Sequence, residues 1–122
     1  MITETKIRKL EPDITVAEIC GRLNLGNSLV SIEGSLKRLI EQGARKLVVD
    51  LAAVNYIDSS GIGMLVSCYG AMDQAGGRIR IAGTQGSVAK AFRLVHLDRI
   101  IPFDADAETA CRNIGTDAAA AS

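Results

Sequence analysis

The sequence predicts a single α/β domain that opens with an antiparallel hairpin and continues as parallel strands, and three observations predict it. Two runs of alternating polar and apolar residues, Ile2 to Leu10 and Ile14 to Leu23, flank the turn Glu11-Pro12-Asp13. Beyond them, β-branched runs and helical-period runs follow one another in strict alternation, which implies right-handed crossovers over one sheet. The chain is 122 residues long and 48% apolar, enough for one hydrophobic core without disulfides or metals.

In the first run Ile7 is the apolar centre, and in the second Ile14 and Val16 alternate with the polar Glu18. Asn24 to Asn27 is a Gly- and Asn-containing loop. Leu29, Ile32, Leu36, Leu39 and Ile40 then recur at helical spacing, Glu33 and Lys37 form an i,i+4 pair on the same helix, and Gly43 ends it. Lys46 to Leu51 suits a central strand. Ser60 to Ala75 reads as a helix stopped by Gly76-Gly77, and Arg78 to Ala82 as a strand. A helix from Ser87 to Val95 places Val88, Ala91, Phe92 and Val95 on one face. Arg99 to Phe103 reads as the last strand and Ala105 to Ile114 as an amphipathic stretch. The domain is expected over residues 1–114, with the Ala-rich tail 115–122 disordered. No linker and no internal repeat divides the chain.

Fourteen basic residues balance fourteen acidic ones, so no global field draws the protein to nucleic acid. No apolar stretch reaches the roughly 18 residues that cross a bilayer. The start, Met1-Ile2-Thr3-Glu4-Thr5-Lys6, lacks the basic and apolar regions of a secretion signal, so a cytoplasmic location without membrane insertion is expected. Cys20, Cys68 and Cys111 are odd in number, widely spaced and without a CxxC pair, which suits reduced packing cysteines and no metal site. His96 is the only histidine and has no companions for a triad, so it is read as a surface or helix-end residue. Asp50 is read as hydrogen-bonded at a strand end, and Lys90 and Arg93 as a solvated face or a contact for an acidic partner. The glycines fit neither a Walker loop nor a dinucleotide fingerprint, and no cofactor is expected.

The informative segment is Asn55-Tyr56-Ile57-Asp58-Ser59-Ser60-Gly61-Ile62-Gly63-Met64, where Asp58 or Ser59 would cap the coming helix. A wheel at 100° per residue puts Ile62, Leu65, Val66, Tyr69 and Met72 on one side, expected to face the core. Ser60, Met64, Ser67 and Ala71 fall opposite, expected to face outward. Asp73 is the only charge between Ser59 and Gly77, so the outward face is neutral. Such a face suits close docking of another protein, burial on both sides within this chain, or a homodimer. A phosphate on Ser60 would add about −1.5 to −2 charge to that face. The helix start would tolerate it, while a docked partner would have to desolvate it. An enzyme with Ser60 as nucleophile lacks a base and an acid.

The sequence resembles the STAS family, specifically bacterial anti-sigma factor antagonists. Leu47-Val48-Val49-Asp50-Leu51, Val54 to Gly63, Gly76-Gly77, Ile81-Ala82-Gly83 and Leu97-Asp98-Arg99-Ile100-Ile101-Pro102 carry the resemblance, from about residue 4 to 114. It implies a sheet of four or five strands with helices largely on one face. It implies phosphorylation of Ser60 by an anti-sigma factor that is itself a serine kinase, with Asp58 as the acidic neighbour. The unphosphorylated form would bind that kinase, and a phosphatase would reset the switch. The expected partner-binding set is Asn24, Asp58, Ser59, Ser60, Gly61, Gly63, Met64, Ser67 and Ala71. Asn24 stands in Gly21-Arg22-Leu23-Asn24 where the family often has an acidic residue. A cytoplasmic STAS subunit of a transporter, or a signalling scaffold that docks constitutively, is the alternative reading.

Overall fold

The structure, a computed structural model, describes residues 3–117. The hairpin forms as expected: β1 (Glu4–Leu10) pairs antiparallel with β2 (Ile14–Leu23), from Glu4 opposite Cys20 to Leu10 opposite Ile14. Helix α1 (Asn27–Glu41) carries the chain across to β3 (Lys46–Ile57), which pairs parallel with β2. Helix α2 (Ser59–Gln74), β4 (Arg78–Ala82), α3 (Gly86–Leu94), β5 (Phe103–Asp104) and α4 (Ala107–Thr116) follow. The strand order is β1-β2-β3-β4-β5, with every pairing after the hairpin parallel.

Alternation along the strands sorts the core into two layers. Ala17, Ile19, Leu47, Val49, Leu51, Ile79 and Ile81 face α1, α2 and α3, where they meet Leu36, Leu65, Met72 and Phe92. Val16, Val48 and Ala82 point the other way, onto Ala110 and Ile114 of α4. Leu47, Val48 and Val49 are therefore all buried, which only a sheet covered on both faces demands. Arg80 joins the second layer to the residue that follows α4, pairing with Asp104 at 2.6 Å and Asp117 at 3.0 Å. The Glu33–Lys37 pair forms at 2.9 Å.

Several boundaries differ from the sequence reading. β3 runs on to Ile57 because Ala53, Val54, Tyr56 and Ile57 pair with Cys20, Gly21, Arg22 and Leu23, holding Ala52, Ala53 and Asn55, of low strand propensity, extended as well. The expected last strand shrinks to Phe103–Asp104. His96 turns the chain with φ 56, Leu97–Arg99 is a 3-10 turn, and the Leu97 carbonyl accepts from both Ile100 and Ile101, so the apolar run is curled. Val95 lies past the end of α3 and is exposed rather than in the core. Helix α4 includes Gly115 and Thr116, and the rest of the expected tail beyond Asp117 lies outside the described residues.

Candidate functional site

β3 ends at Ile57 and α2 starts at Ser59, so Asp58 is the hinge between them and its extended φ and ψ make it the N-cap. Its carboxylate works in two directions. Oδ1 accepts from the Gly61 N–H at 3.0 Å, satisfying a free donor of the first turn, and Oδ2 accepts from the Leu25 N–H at 3.0 Å. The Asp58 N–H donates in turn to the Leu23 carbonyl at 3.1 Å. Asn24 is bracketed by these bonds, so the β2–α1 loop is tied to the start of α2. The N–H of Leu25, then that of Gly61, holds the Asp58 carboxyl below its ordinary range.

Gly61 permits this closeness. A Cβ there would overlap the Leu23 carbonyl oxygen and sit 2.8 Å from Ile57 Cγ1. The inner stripe of α2 is Gly61, Leu65, Cys68 and Met72, at i, i+4, i+7 and i+11, with Met64 beside it.

That stripe corrects the wheel. Met64 is 2% exposed and belongs to the core, not the surface. Ala71 is half-buried against the same core, and Ser67 is half-buried with its hydroxyl donating to Glu33 of α1 at 3.3 Å. Val66, expected inside, is exposed; Ile62 and Tyr69 are half-buried, and Leu65 and Met72 are in the core as expected. Nearly every side chain of α2 is small or apolar, so a wheel drawn on hydrophobicity has no single strong direction. Gly61 and Cys68, which pack without bulk, were decisive and carried no weight in it. The outward ridge instead runs through Ser59, Gly63 and Val66, still without charge before Asp73.

Ser60 is half-buried on the flank of that ridge, on the side where Ser67 meets α1. Of the expected partner-binding set, Ser59 and Gly63 are exposed, Asn24, Asp58 and Ser60 are half-buried at the same corner, and Gly61 is buried beneath them. Leu25 and Val30, at 77% and 70% exposure, add an apolar rim that sequence reasoning missed. The available signal was an apolar residue stranded in the polar loop Asn24-Leu25-Gly26-Asn27. The Arg22 guanidinium stacks 4.2 Å over the Tyr56 ring at the adjacent strand ends.

The remaining candidates hold structural places. Asp50 is hydrogen-bonded as expected, accepting from the Ala52 N–H at 3.0 Å, but it lies inside β3 rather than at a strand end, because that strand runs on to Ile57. Cys20, Cys68 and Cys111 form no disulfide, and burial pushes the Cys68 thiol up to about 11. Among the described residues no cluster of His, Cys, Asp and Glu could hold a metal, and no helix is long and apolar enough to cross a membrane.

Fold and site together define a small α/β domain that presents a capped serine at a helix start above a neutral ridge. The STAS domain family matches residues 7–110, and the chain belongs to that family. It is 30% identical over 102 residues to the anti-sigma-B factor antagonist of Bacillus subtilis, covering 84% of this chain and 91% of that protein. Its fold matches an anti-sigma factor antagonist from Mycobacterium paratuberculosis with a TM-score of 0.82 at 17% identity, over 93% of this chain and 95% of that one. It also matches the phosphorylated form of the Bacillus cell fate determinant SpoIIAA, TM-score 0.70 at 20% identity, over 89% and 97%.

Proposed function

We propose that this chain is a non-catalytic, cytoplasmic regulatory module that binds an anti-sigma factor serine kinase when Ser60 is unmodified and releases it when Ser60 carries phosphate. One observation carries the reading: the Asp58-capped start of α2 holds a half-buried Ser60 hydroxyl at the rim of the uncharged Ser59–Gly63–Val66 ridge. The kinase transfers the γ-phosphoryl group of ATP to Ser60 Oγ, whose proton is lost. The new dianion rests beside the first-turn N–H groups, so the helix stays folded. A partner packed on Gly63, Val66 and Leu25 would have to desolvate that dianion next to Asp58, and binding fails. A phosphatase restores the hydroxyl.

The test incubates the chain with candidate anti-sigma kinases and ATP and maps the added phosphate by mass spectrometry. The expected result is phosphate on Ser60 alone and binding of Ser60→Asp weakened about a hundredfold or more. Equal binding of Ser60→Asp and the unmodified chain would overturn the reading. Stable, phosphate-independent association with a transporter complex would replace it by the constitutive-docking alternative.

A further inference from the structure

We infer that the opposite end of the sheet from Ser60 carries a second docking surface, built by the turn after α3 and shaped for an acidic, aliphatic segment of a partner protein. A helix returning between parallel strands runs against them. Helix α3 therefore starts at the end of the sheet where Ser60 lies and finishes at the other. There Leu94, Val95 and Ile100 stand 70%, 52% and 50% exposed within seven residues of one another.

The segment is held in shape rather than frayed. The His96 N–H donates to the Arg93 carbonyl at 3.1 Å, the Arg99 N–H to the His96 carbonyl at 3.1 Å, and the Ile100 N–H to the Leu97 carbonyl at 2.9 Å. The Leu97 side chain is buried and anchors the turn. Three large aliphatic side chains are thus fixed outward on a rigid backbone, a cost that an unused surface has no reason to carry.

Charge selects the occupant. Lys90, Arg93 and Arg99 surround the patch, all exposed, and none has an ion-pair partner among the described residues. Arg8 is paired with Glu18, Lys37 with Glu33, Lys46 with Asp13 and Arg112 with Glu108, and Lys6, Lys9, Arg38 and Arg45 make no ion pair among the described residues; Lys90, Arg93 and Arg99 differ from these in flanking three exposed aliphatic side chains within one short segment. Unpaired cations around an aliphatic centre complement a segment with aliphatic residues flanked by carboxylates. A second copy meeting this patch through a two-fold axis would set cation against cation. An anionic membrane would meet the exposed Asp98, which lies between Val95 and Ile100 in sequence, and a segment Leu94–Ile100 without an aromatic residue. A protein partner can offer Asp98 a cation of its own. This surface stands without the Ser60 reading, and a partner on it would stay bound through the phosphate cycle.

The test records amide spectra of the isotope-labelled full chain during titration with a synthetic amphipathic helix bearing Leu at i, i+3, i+4 and i+7 and Glu on both flanks. The expected result is saturable shifts confined to residues 90–102, weakened about tenfold by Arg93→Glu with Arg99→Glu and equally by Leu94→Ser with Ile100→Ser. All four positions are exposed, so retained spectral dispersion certifies the fold of each variant. Ser60→Asp should leave the titration unchanged. Absence of shifts, an equal response to the same peptide with Lys in place of Glu, or a response to phosphatidylglycerol vesicles alone would overturn the proposal. So would self-association in sedimentation that Leu94→Ser abolishes, or weakening by Ser60→Asp. None of those results bears on whether Ser60 is phosphorylated.

Discussion

Two glycines two residues apart on α2 should respond to the same methyl group with opposite signs. At Gly61 a Cβ would sit 2.8 Å from Ile57 Cγ1 and 3.0 Å from Leu23 Cβ, closer still to the Leu23 carbonyl oxygen. Carbon atoms pack comfortably at about 3.5–4.0 Å. The obstacle cannot step aside cheaply, because the Leu23 carbonyl is held by the Asp58 N–H at 3.1 Å. Overpacking of this kind costs about 1–3 kcal/mol, offset by about 0.5–1 kcal/mol of helix propensity gained on leaving glycine. Gly61→Ala should therefore lose about 1–2 kcal/mol. At Gly63 nothing lies within 4 Å of the added Cβ, so Gly63→Ala keeps only the propensity gain and should be stabilised by about 0.5–1 kcal/mol. With a urea dependence of about 1–3 kcal/mol/M for a domain this size, the midpoints should separate by about 0.5–3 M in unfolding followed by circular dichroism. Shifts of the same sign, or midpoints that coincide, would refute the placement of α2. On the proposed function, the stabilised Gly63→Ala protein should also bind an anti-sigma kinase more weakly, since its methyl would stand on the proposed docking ridge.

Three further outcomes test other parts of the structure. Met64→Ala should cost about 2–4 kcal/mol by opening a core cavity while exposed Val66→Ala costs under about 1 kcal/mol, and the reverse order would restore the wheel reading. Asp104→Ala should cost about 3 kcal/mol, because the partly buried Arg80 guanidinium loses its shortest contact; a loss under about 1 kcal/mol in the same assay would contradict that role. The Asp58 carboxyl is depressed in the folded state, so its stabilising contribution is complete above the ordinary carboxylate value of 3.8 and is lost as pH falls through the lower folded value. The amide signals of Leu25 and Gly61 should report a midpoint below 3.8, and a midpoint at or above it would remove the two bonds from the account.

The hairpin, the alternation of strand and helix, and the capping role of Asp58 were legible because each rests on local chemistry: period-two patterning, helical spacing and a carboxylate before a helix. The orientation of α2 was not. Its inner stripe depends on Gly61 fitting under Leu23 and Cys68 fitting the core, and such contacts leave no trace in a hydrophobicity pattern. The curled segment before β5 failed for a related reason. Ile100 and Ile101 look like strand residues, yet one is half exposed and the other fully buried because the backbone closes on the Leu97 carbonyl. Leu25 became visible as part of the site only once the long-range bond from its N–H to Asp58 was seen.

The missing side chain at position 61 leaves the first turn of α2 seated directly on the end of β2, with no slack beneath it. A modification on the neighbouring hydroxyl therefore has nowhere to push the helix inward, and the two bonds of Asp58 keep it from swinging sideways. On the proposed function, information entering at this corner would leave the backbone where it was. A partner would read it as an altered electric potential over an unaltered shape, and such a signal could be erased by removing the group, with no refolding to wait for.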